Sequence, residues 1–305
     1  MAADLTVIIL SYNTRAVTSR YLSYLEKSVR VCRRALGNRI QVLVIDNHSS
    51  DGTVALIRTR FPQVKILAQK TNLGYSRGNN LALKRARTPY ILLLNSDVFV
   101  KSDTLLNSLK YISQNRDCDV LCLKLENPDG SPQTSWGFLP TPPRTVLWTL
   151  GLENLPLARN LIRPIYPRHW VTGLEWFSTS FFLIKRQVYQ KTGGFDPGLF
   201  LFMEDVEWCH RIRAAGLNIC YNRHLRVVHL RGFTTKKLSP RDLLTRNLDG
   251  LLHFHRRHYR NTAGLVNGFL IFGMQIRSFY YFLTGRPELA GAYQYAAGKL
   301  IKAIV

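Results

Sequence analysis

Acidic residues are scarce in this chain: 19 Asp and Glu stand against 42 Lys and Arg in 305 residues, a formal net charge of +23. That imbalance favours a polyanionic partner, whether nucleic acid, an acidic membrane surface or a phosphate-rich substrate, and composition alone does not choose among them. Cysteine is sparse as well. Cys32, Cys118, Cys122, Cys209 and Cys220 are odd in number and scattered, which resembles a reduced cytosolic set more than a disulfide framework. Long hydrophobic runs are missing. The strongest, residues 264–276, ends at Arg277, short of the ~20 residues with which a helix crosses about 30 Å of hydrocarbon. An interfacial or buried helix is expected there.

Several signatures are absent. The N-terminal MAADLTVIILSYN has a short apolar run behind an Asp and lacks the basic start and long core of a signal peptide, so it reads as a first strand. There is no GxGxxG fingerprint, no P-loop, no Gly-x-Ser-x-Gly elbow and no readable Cys–His pairing. No helix-turn-helix, zinc finger or RNP sequence accompanies the positive charge, which argues against nucleic acid as the partner. Internal repeats and low-complexity segments are lacking too. What is present is ample apolar material, 46% of the chain, enough for a sizeable core in one large or two modest domains.

Apolar strand-like runs alternate with helical spacing. Strands are predicted over 5–10, 40–45, 64–68, 90–94, 120–125, 181–186, 219–221 and 227–230, and helices over 14–34, 53–60, 76–87, 105–115 and 206–215. That alternation implies an α/β fold whose mostly parallel sheet is covered on both faces. Residues 128–167 carry eight prolines and are expected to form a flap or short helices. After Arg231 come Lys236 and Lys237, then a helix over about 240–257 ending in HFHRRHYR, the start of a helical, basic and apolar extension.

Carboxylates directly after apolar strands suit a ligand crevice better than a core, because open parallel sheets bind at the carboxyl ends of their strands. Asp46 closes QVLVIDN, Asp97 closes YILLLNSD, and His229 ends LRVVHL. Asp97 is either a ligand for a hard divalent cation or a turn cap, with Asn95 offering a neutral oxygen beside Ser96. His229 is either a second ligand or a near-core histidine. Glu204 and Asp205 open a helix, where they complement its dipole or hold a general base against an apolar wall that raises its pKa. In TNLGYSRGNN, Gly74 and Gly78 permit close backbone approach, Arg77 is suited to a phosphate, and Asn72 and Asn80 bind a sugar or hold the loop. His253, His255 and His258 read as part of a basic helix face rather than a zinc site.

Taken together, TVIILSYN, VLVIDNHSSDGT, NLGYSRGNN, YILLLNSDVFV, EWFSTSFFLIKR, GGFDPGLFLFMEDVEWCHRIRAAG and VVHLRG resemble glycosyltransferase family 2, particularly its rhamnosyltransferase-like bacterial members. The likeness runs in order from Thr6 to Gly232. It implies a GT-A fold: a Rossmann-like nucleotide-sugar part over 1–127, an acceptor-binding part over 128–235, and a helical extension over 236–305. It implies that Asp46 holds the nucleoside near Ser11, Tyr12 and Asn13, with Asn72, Arg77, Asn80, Asn95 and Ser96 lining the donor site. Asp97 corresponds to the last aspartate of a DxD-type metal motif, and His229 to a histidine completing the metal and diphosphate site. Asp205 corresponds to the catalytic base, and Glu204 supports it or contacts acceptor, as does Trp176. Two departures stand out: Asn95 replaces the first Asp of DxD, and Thr179 and Ser180 replace a small Gly-Ala pair.

The resemblance implies inverting transfer of a sugar from a nucleoside-diphosphate sugar, dTDP-rhamnose or a UDP-hexose being favoured, to a hydroxyl of a cell-surface glycan or glycolipid precursor, assisted by Mg²⁺ or Mn²⁺. A peripheral position on the anionic, cytoplasmic face of a membrane is expected, the extension attaching there or forming a homo-oligomer interface. The alternatives are a catalytically silent nucleotide-sugar-binding protein of the same fold and a nucleotidyltransferase-like enzyme.

Overall fold

The apolar runs of the first half become parallel strands because helices cover both of their faces. In the computed structural model, which describes residues 5–37, 39–152, 174–230, 232 and 238–303, β1 (Leu5–Ser11), β2 (Ile40–Asp46), β3 (Lys65–Ala68) and β4 (Tyr90–Leu94) alternate with α1 (Arg15–Leu36), α2 (Thr53–Arg60) and α3 (Gly74–Leu83). Next come β5 (Val98–Phe99), α4 (Thr104–Gln114), β6 (Val120–Glu126), β7 (Trp136–Gly137) and α5 (Pro142–Thr149). β8 (Trp176–Phe177), β9 (Phe181–Lys185), α6 (Arg186–Thr192), α7 (Glu204–Ala214) and β10 (Ile219–His229) follow. Three helices close the chain: α8 (Pro240–His258), α9 (Ala263–Leu283) and α10 (Pro287–Lys302). Arg231, Lys236, Lys237 and the 153–167 part of the expected flap lie outside the described residues.

The chain forms two compact units, one comprising Met1–Gly137, Trp176–Phe200 and Glu204–Thr234, the other Phe138–Glu175, Leu201–Met203 and Thr235–Val305. The first holds an eight-stranded sheet in the order β3-β2-β1-β4-β9-β6-β10-β5. β1 to β4 run parallel, as do β6 and β10, whereas β9 is antiparallel to both its neighbours and β5 to β10. Leu5, Val7 and Ile9 of β1 face a core shared with α1, α2 and α4, where Tyr21, Leu25, Ile57, Leu105 and Leu109 are buried. Their alternates face the other way. Leu10 meets α3 at Gly78, and Phe182 packs against Trp208 of α7 at 5.6 Å between ring centroids.

β10 differs from the sequence expectation of two short strands. It is one strand with a bulge between Asn222 and Arg226, because the Asn222 side-chain oxygen accepts from the backbone N–H of His224 and Leu225 at 2.9 and 3.1 Å and so satisfies the groups that leave the ladder.

In the second unit, α8 begins at Ser239, whose hydroxyl accepts from the Asp242 backbone N–H at 3.1 Å, with Pro240 at the first helical position. Leu248, Leu251 and Leu252 of α8 share a core with Val266, Leu270 and Met274 of α9 and Ala296, Ala297 and Leu300 of α10. His255 is buried, its Nε2 3.0 Å from the Thr145 hydroxyl, and burial lowers its pKa to about 4. It is a neutral core residue, while Arg256 and Arg257 beside it are exposed.

One glycine in the first unit is tightly constrained. Gly74 has φ +77°, and a Cβ there would stand 2.6 Å from both the Phe200 carbonyl oxygen and its ring. Gly74→Ala is expected to destabilise the fold by about 2–4 kcal/mol, combining left-handed strain with overpacking against backbone. Urea unfolding measures this, and an unchanged midpoint would show that the loop relaxes at no cost.

Candidate active site

The order of the sheet reverses between β1 and β4, since β2 and β3 lie to one side of β1 and β4 to the other. Such a switch point opens a crevice at the carboxyl ends of the strands. Ser11 and Asp46 sit side by side there, paired in register at the ends of β1 and β2. Ser11 is buried with its hydroxyl 2.6 Å from that of Thr14, and Tyr12 is exposed. Asn13 adopts a left-handed backbone, φ 51°, and its side-chain oxygen accepts from the Ser50 N–H at 2.9 Å. Asp46 is buried; Oδ2 accepts from the Ser49 N–H at 2.9 Å, while Oδ1 accepts no hydrogen bond among the described residues. A buried carboxylate oxygen with spare capacity is costly unless a ligand donor meets it.

β9 and β10 bring distant residues to the same edge. Because β5 is antiparallel to β10, His229 pairs with Val98 and lies beside Asp97, with Nε2 3.2 Å from Oδ1. The His229 Nδ1 is 3.0 Å from Gln133 Oε1. Gln133 Nε2 donates at 2.6 Å to both the His229 carbonyl and Asn127 Oδ1, which fixes the amide with Oε1 toward the ring. Nδ1 must then carry the hydrogen, and a neutral His229 presents its Nε2 lone pair to the Asp97 carboxylate. Two lone pairs at this distance repel unless a cation lies between them, either a proton on Nε2 or a bound metal.

A hard carboxylate oxygen and an imidazole nitrogen held by an outer hydrogen bond fit Mg²⁺ or, better, Mn²⁺. Among the described residues no group of three or more His, Cys, Asp and Glu side chains converges as a metal cage. The two side chains therefore suit a cation that shares its shell with phosphate oxygens, the usual arrangement for Mg²⁺. Gln133→Met should weaken Mn²⁺ binding by about 10- to 100-fold, the usual loss for an outer-sphere partner of a histidine ligand. Calorimetric titration with Mn²⁺ in the presence of nucleoside diphosphate reads this directly, and wild-type affinity would remove Gln133 from the site.

β9, antiparallel to β4, places Thr179 and Ser180 opposite Asn95. The Asn95 Nδ2 donates to the Ser180 hydroxyl at 3.1 Å, and Tyr75 donates its hydroxyl to Asn95 Oδ1 at 2.8 Å while touching the Thr179 hydroxyl at 3.0 Å. The two departures from the family pattern thus hold each other, with Tyr75 between them. Burial drives the Tyr75 pKa well up; the Thr179 hydrogen bond opposes this, and the negative charges of Glu204, Asp205 and Asp97 add to it. Tyr75 is therefore a neutral donor. Ser96 and Asp97 are both buried.

Glu204 and Asp205 head α7. Burial raises the Asp205 pKa to about 6 against the lowering effect of hydrogen bonds from the Val206 N–H and its own. The two residues before the pair, Phe202 and Met203, both have left-handed backbones, φ 72° and 69°, a strain of about 1–3 kcal/mol each for non-glycine residues and typical of functional sites. Further along α7, Glu207 is buried and bonded by Arg211 at 2.7–2.9 Å, whose guanidinium also donates to the Gly194 carbonyl at 2.6 Å. Trp208 donates its Nε1 to the Thr192 hydroxyl at 2.9 Å. These contacts anchor the helix that carries Glu204 and Asp205.

The loop after β3 is largely engaged with itself and its neighbours. Asn72 Oδ1 accepts from Asn47 Nδ2 at 2.7 Å and from the Gly74 N–H at 2.9 Å. Asn80 clamps Phe195, accepting from its N–H at 2.9 Å and donating to its carbonyl at 2.8 Å. The exposed Arg77 donates its Nε to the Pro197 carbonyl at 2.9 Å. These contacts hold the loop. Trp176 is half-buried in β8, paired with Gly137.

The sequence profile of Glycosyl transferase family 2 matches residues 6–211. The chain is 26% identical over 267 residues to N-acetylglucosaminyl-diphospho-decaprenol L-rhamnosyltransferase of Mycobacterium tuberculosis, covering 80% of this chain and 83% of that protein. Among solved structures, mannosyltransferase PcManGT of Pyrobaculum calidifontis, in complex with GDP-Man and Mn²⁺, superposes with a TM-score of 0.55 at 15% identity, covering 96% of this chain and 75% of that one. Residues 1–349 of TarS from S. aureus, in complex with UDP-GlcNAc, give 0.52 at 16% identity, covering 98% and 92%.

Proposed function

The chain belongs to glycosyl transferase family 2, and from that premise we propose that it transfers a sugar, with inversion, from a nucleoside-diphosphate sugar to a hydroxyl of a cell-surface glycan or glycolipid precursor. The observation that carries the reading is the pairing of His229 Nε2 with Asp97 Oδ1 at 3.2 Å, just beyond β4 and at the end of β10. dTDP-rhamnose or a UDP-hexose is the favoured donor, in keeping with a rhamnosyltransferase among the relatives. That relative's name also supports a polyprenyl-diphosphate-linked acceptor, and hence a peripheral site on the cytoplasmic face of the membrane. Among the described residues, no helix is long and apolar enough to cross a membrane.

In this mechanism Asp205 takes the proton of the acceptor hydroxyl. Its oxygen then forms a bond to the anomeric carbon from the face opposite the diphosphate, whose C–O bond breaks with its electron pair, so the centre inverts in one displacement. A pKa near 6 leaves Asp205 ionised at neutral pH yet more basic than an ordinary carboxylate. Asp97 and His229 would hold a divalent metal, which would neutralise charge on the departing diphosphate. Asp46 receives the nucleoside through its open Oδ1, beside Ser11, Tyr12 and Asn13. Tyr75 keeps Asn95 and Thr179 in register at the donor side, Arg77 and Ser96 line it, and Asn72 and Asn80 shape its loop. Glu204 and Trp176 meet the acceptor.

The experiment that tests this reading is thermal unfolding with dTDP-rhamnose, UDP-hexoses and GDP-mannose, with and without Mn²⁺ or Mg²⁺. One donor should raise the transition midpoint more with the metal than without it and should also support transfer. Protection by an intact donor that is never consumed points instead to a silent binding protein, and the absence of protection by any of them overturns the reading.

A further inference from the structure

The C-terminal unit contains a helix that is apolar on two opposite faces. Val266, Leu270 and Met274 of α9 are buried in the core shared with α8 and α10. On the opposite side Leu265, Phe272, Ile276, Phe279 and Leu283 are 48–66% exposed. At 100° per residue these five fall within an arc of about 60°, and from Leu265 to Leu283 the stripe runs about 27 Å along the helix. Tyr280 is exposed at its edge. An ordinary surface helix turns charge to water on this side; α9 carries one charged residue, Arg277, whose guanidinium is bonded to the Trp148 carbonyl at 2.9 Å. A continuous stripe of this kind marks a contact surface.

We infer that the outer face of α9 lies in the plane of an anionic lipid surface, its five large side chains inserted at the headgroup boundary. This rests on the membrane reading above and adds the surface responsible. Charge decides between lipid and a second copy of this chain. Residues 238–303 hold nine Lys and Arg against three Asp and Glu, and Arg286, just beyond the end of the stripe, and Lys302 of α10 are exposed. Two-fold pairing of this face would set like-charged rims against each other, whereas acidic headgroups complement them. The helix fails the requirement for spanning and satisfies that for lying flat: one apolar face outward, aromatic residues on it, and a basic surround.

The test compares the full-length chain with F272S/I276S/F279S, whose changes are on exposed positions and leave the α9 core residues intact. Co-sedimentation uses vesicles of phosphatidylcholine with about one-third phosphatidylglycerol, which supply the anionic headgroups the inference requires, and light scattering reports oligomeric state. Wild type is expected to bind, less at high salt, and the triple variant to bind about a hundredfold more weakly while retaining donor-induced thermal protection. Equal binding of the two overturns the assignment to α9 and leaves the membrane reading standing. Failure of wild type to bind removes both. A dimer of wild type that the variant converts to monomer, without any vesicle binding, reassigns the stripe to an interface between copies.

Discussion

Asp205→Asn should leave donor affinity near wild type and lower the transfer rate by about 10² to 10⁴, the usual consequence of removing a general base. The substitution preserves shape, so the backbone hydrogen bond from Val206 to Oδ1, 2.8 Å, has an acceptor in the variant too. What disappears is the proton acceptor. In the wild type, kcat/KM should rise with pH and level off above about 6, because burial raises Asp205 from its ordinary 3.8 to that value and only the ionised form takes a proton. The variant should lose that limb of the profile. Glu204→Gln is expected to be milder, the role proposed for Glu204 being to meet the acceptor without receiving its proton. Near-normal transfer by Asp205→Asn with collapse in Glu204→Gln would move the base to Glu204.

The same shift predicts a stability gain that a structural carboxylate would not show. In the unfolded chain Asp205 ionises near 3.8, whereas in the fold it keeps its proton up to about 6. The folded state therefore binds the proton more tightly, and its stability falls as pH rises between those values. Asn carries no such penalty. At pH 7.5 the variant should be more stable than wild type by roughly 1–2 kcal/mol after allowance for partial solvent access, a trade of stability for function.

The positions legible in the sequence were those whose meaning is local. Asp46, Asp97 and His229 end apolar runs, and Glu204 and Asp205 open a helical one, so strand and helix periodicity alone put them at element ends, where a parallel sheet gathers ligands. Tyr75 lies in the TNLGYSRGNN segment, but its value comes from Thr179, 104 residues away, and no short-range pattern encodes that. Gln133 is separated from His229 by 96 residues and sits in a proline-rich stretch read as a flap. Glu207 and Arg211 form an i,i+4 pair visible in sequence, yet what makes it structural is the burial of Glu207 and the Arg211 hydrogen bond to the Gly194 carbonyl. β5, of two residues, is too short to show a period, and the antiparallel insertion of β9 into an otherwise parallel neighbourhood depends on tertiary pairing. That insertion places Ser180 against Asn95 and Thr179 against Tyr75.

Asp97→Ala should abolish the metal dependence of donor binding and reduce kcat/KM by about 10² to 10³ or more, on the scale of removing a principal electrostatic stabiliser of a leaving group. The fold should survive: the backbone bond from the Leu230 N–H to the Asp97 carbonyl at 3.0 Å is one that alanine retains, although the side-chain contact with His229 is lost. His229 loses its charged neighbour, and its imidazole alone binds a hard cation poorly. On the proposed assignment of Asp46 to the nucleoside, Asp46→Ala provides the contrast, weakening nucleotide binding equally with and without Mn²⁺. Titrating each variant with nucleoside diphosphate across a Mn²⁺ series separates the two effects. If Asp97→Ala keeps wild-type metal dependence and turnover, the lone-pair opposition between His229 Nε2 and Asp97 Oδ1 is relieved by a proton instead, and the pair is a hydrogen-bonded strut at the end of β10 rather than a cation site.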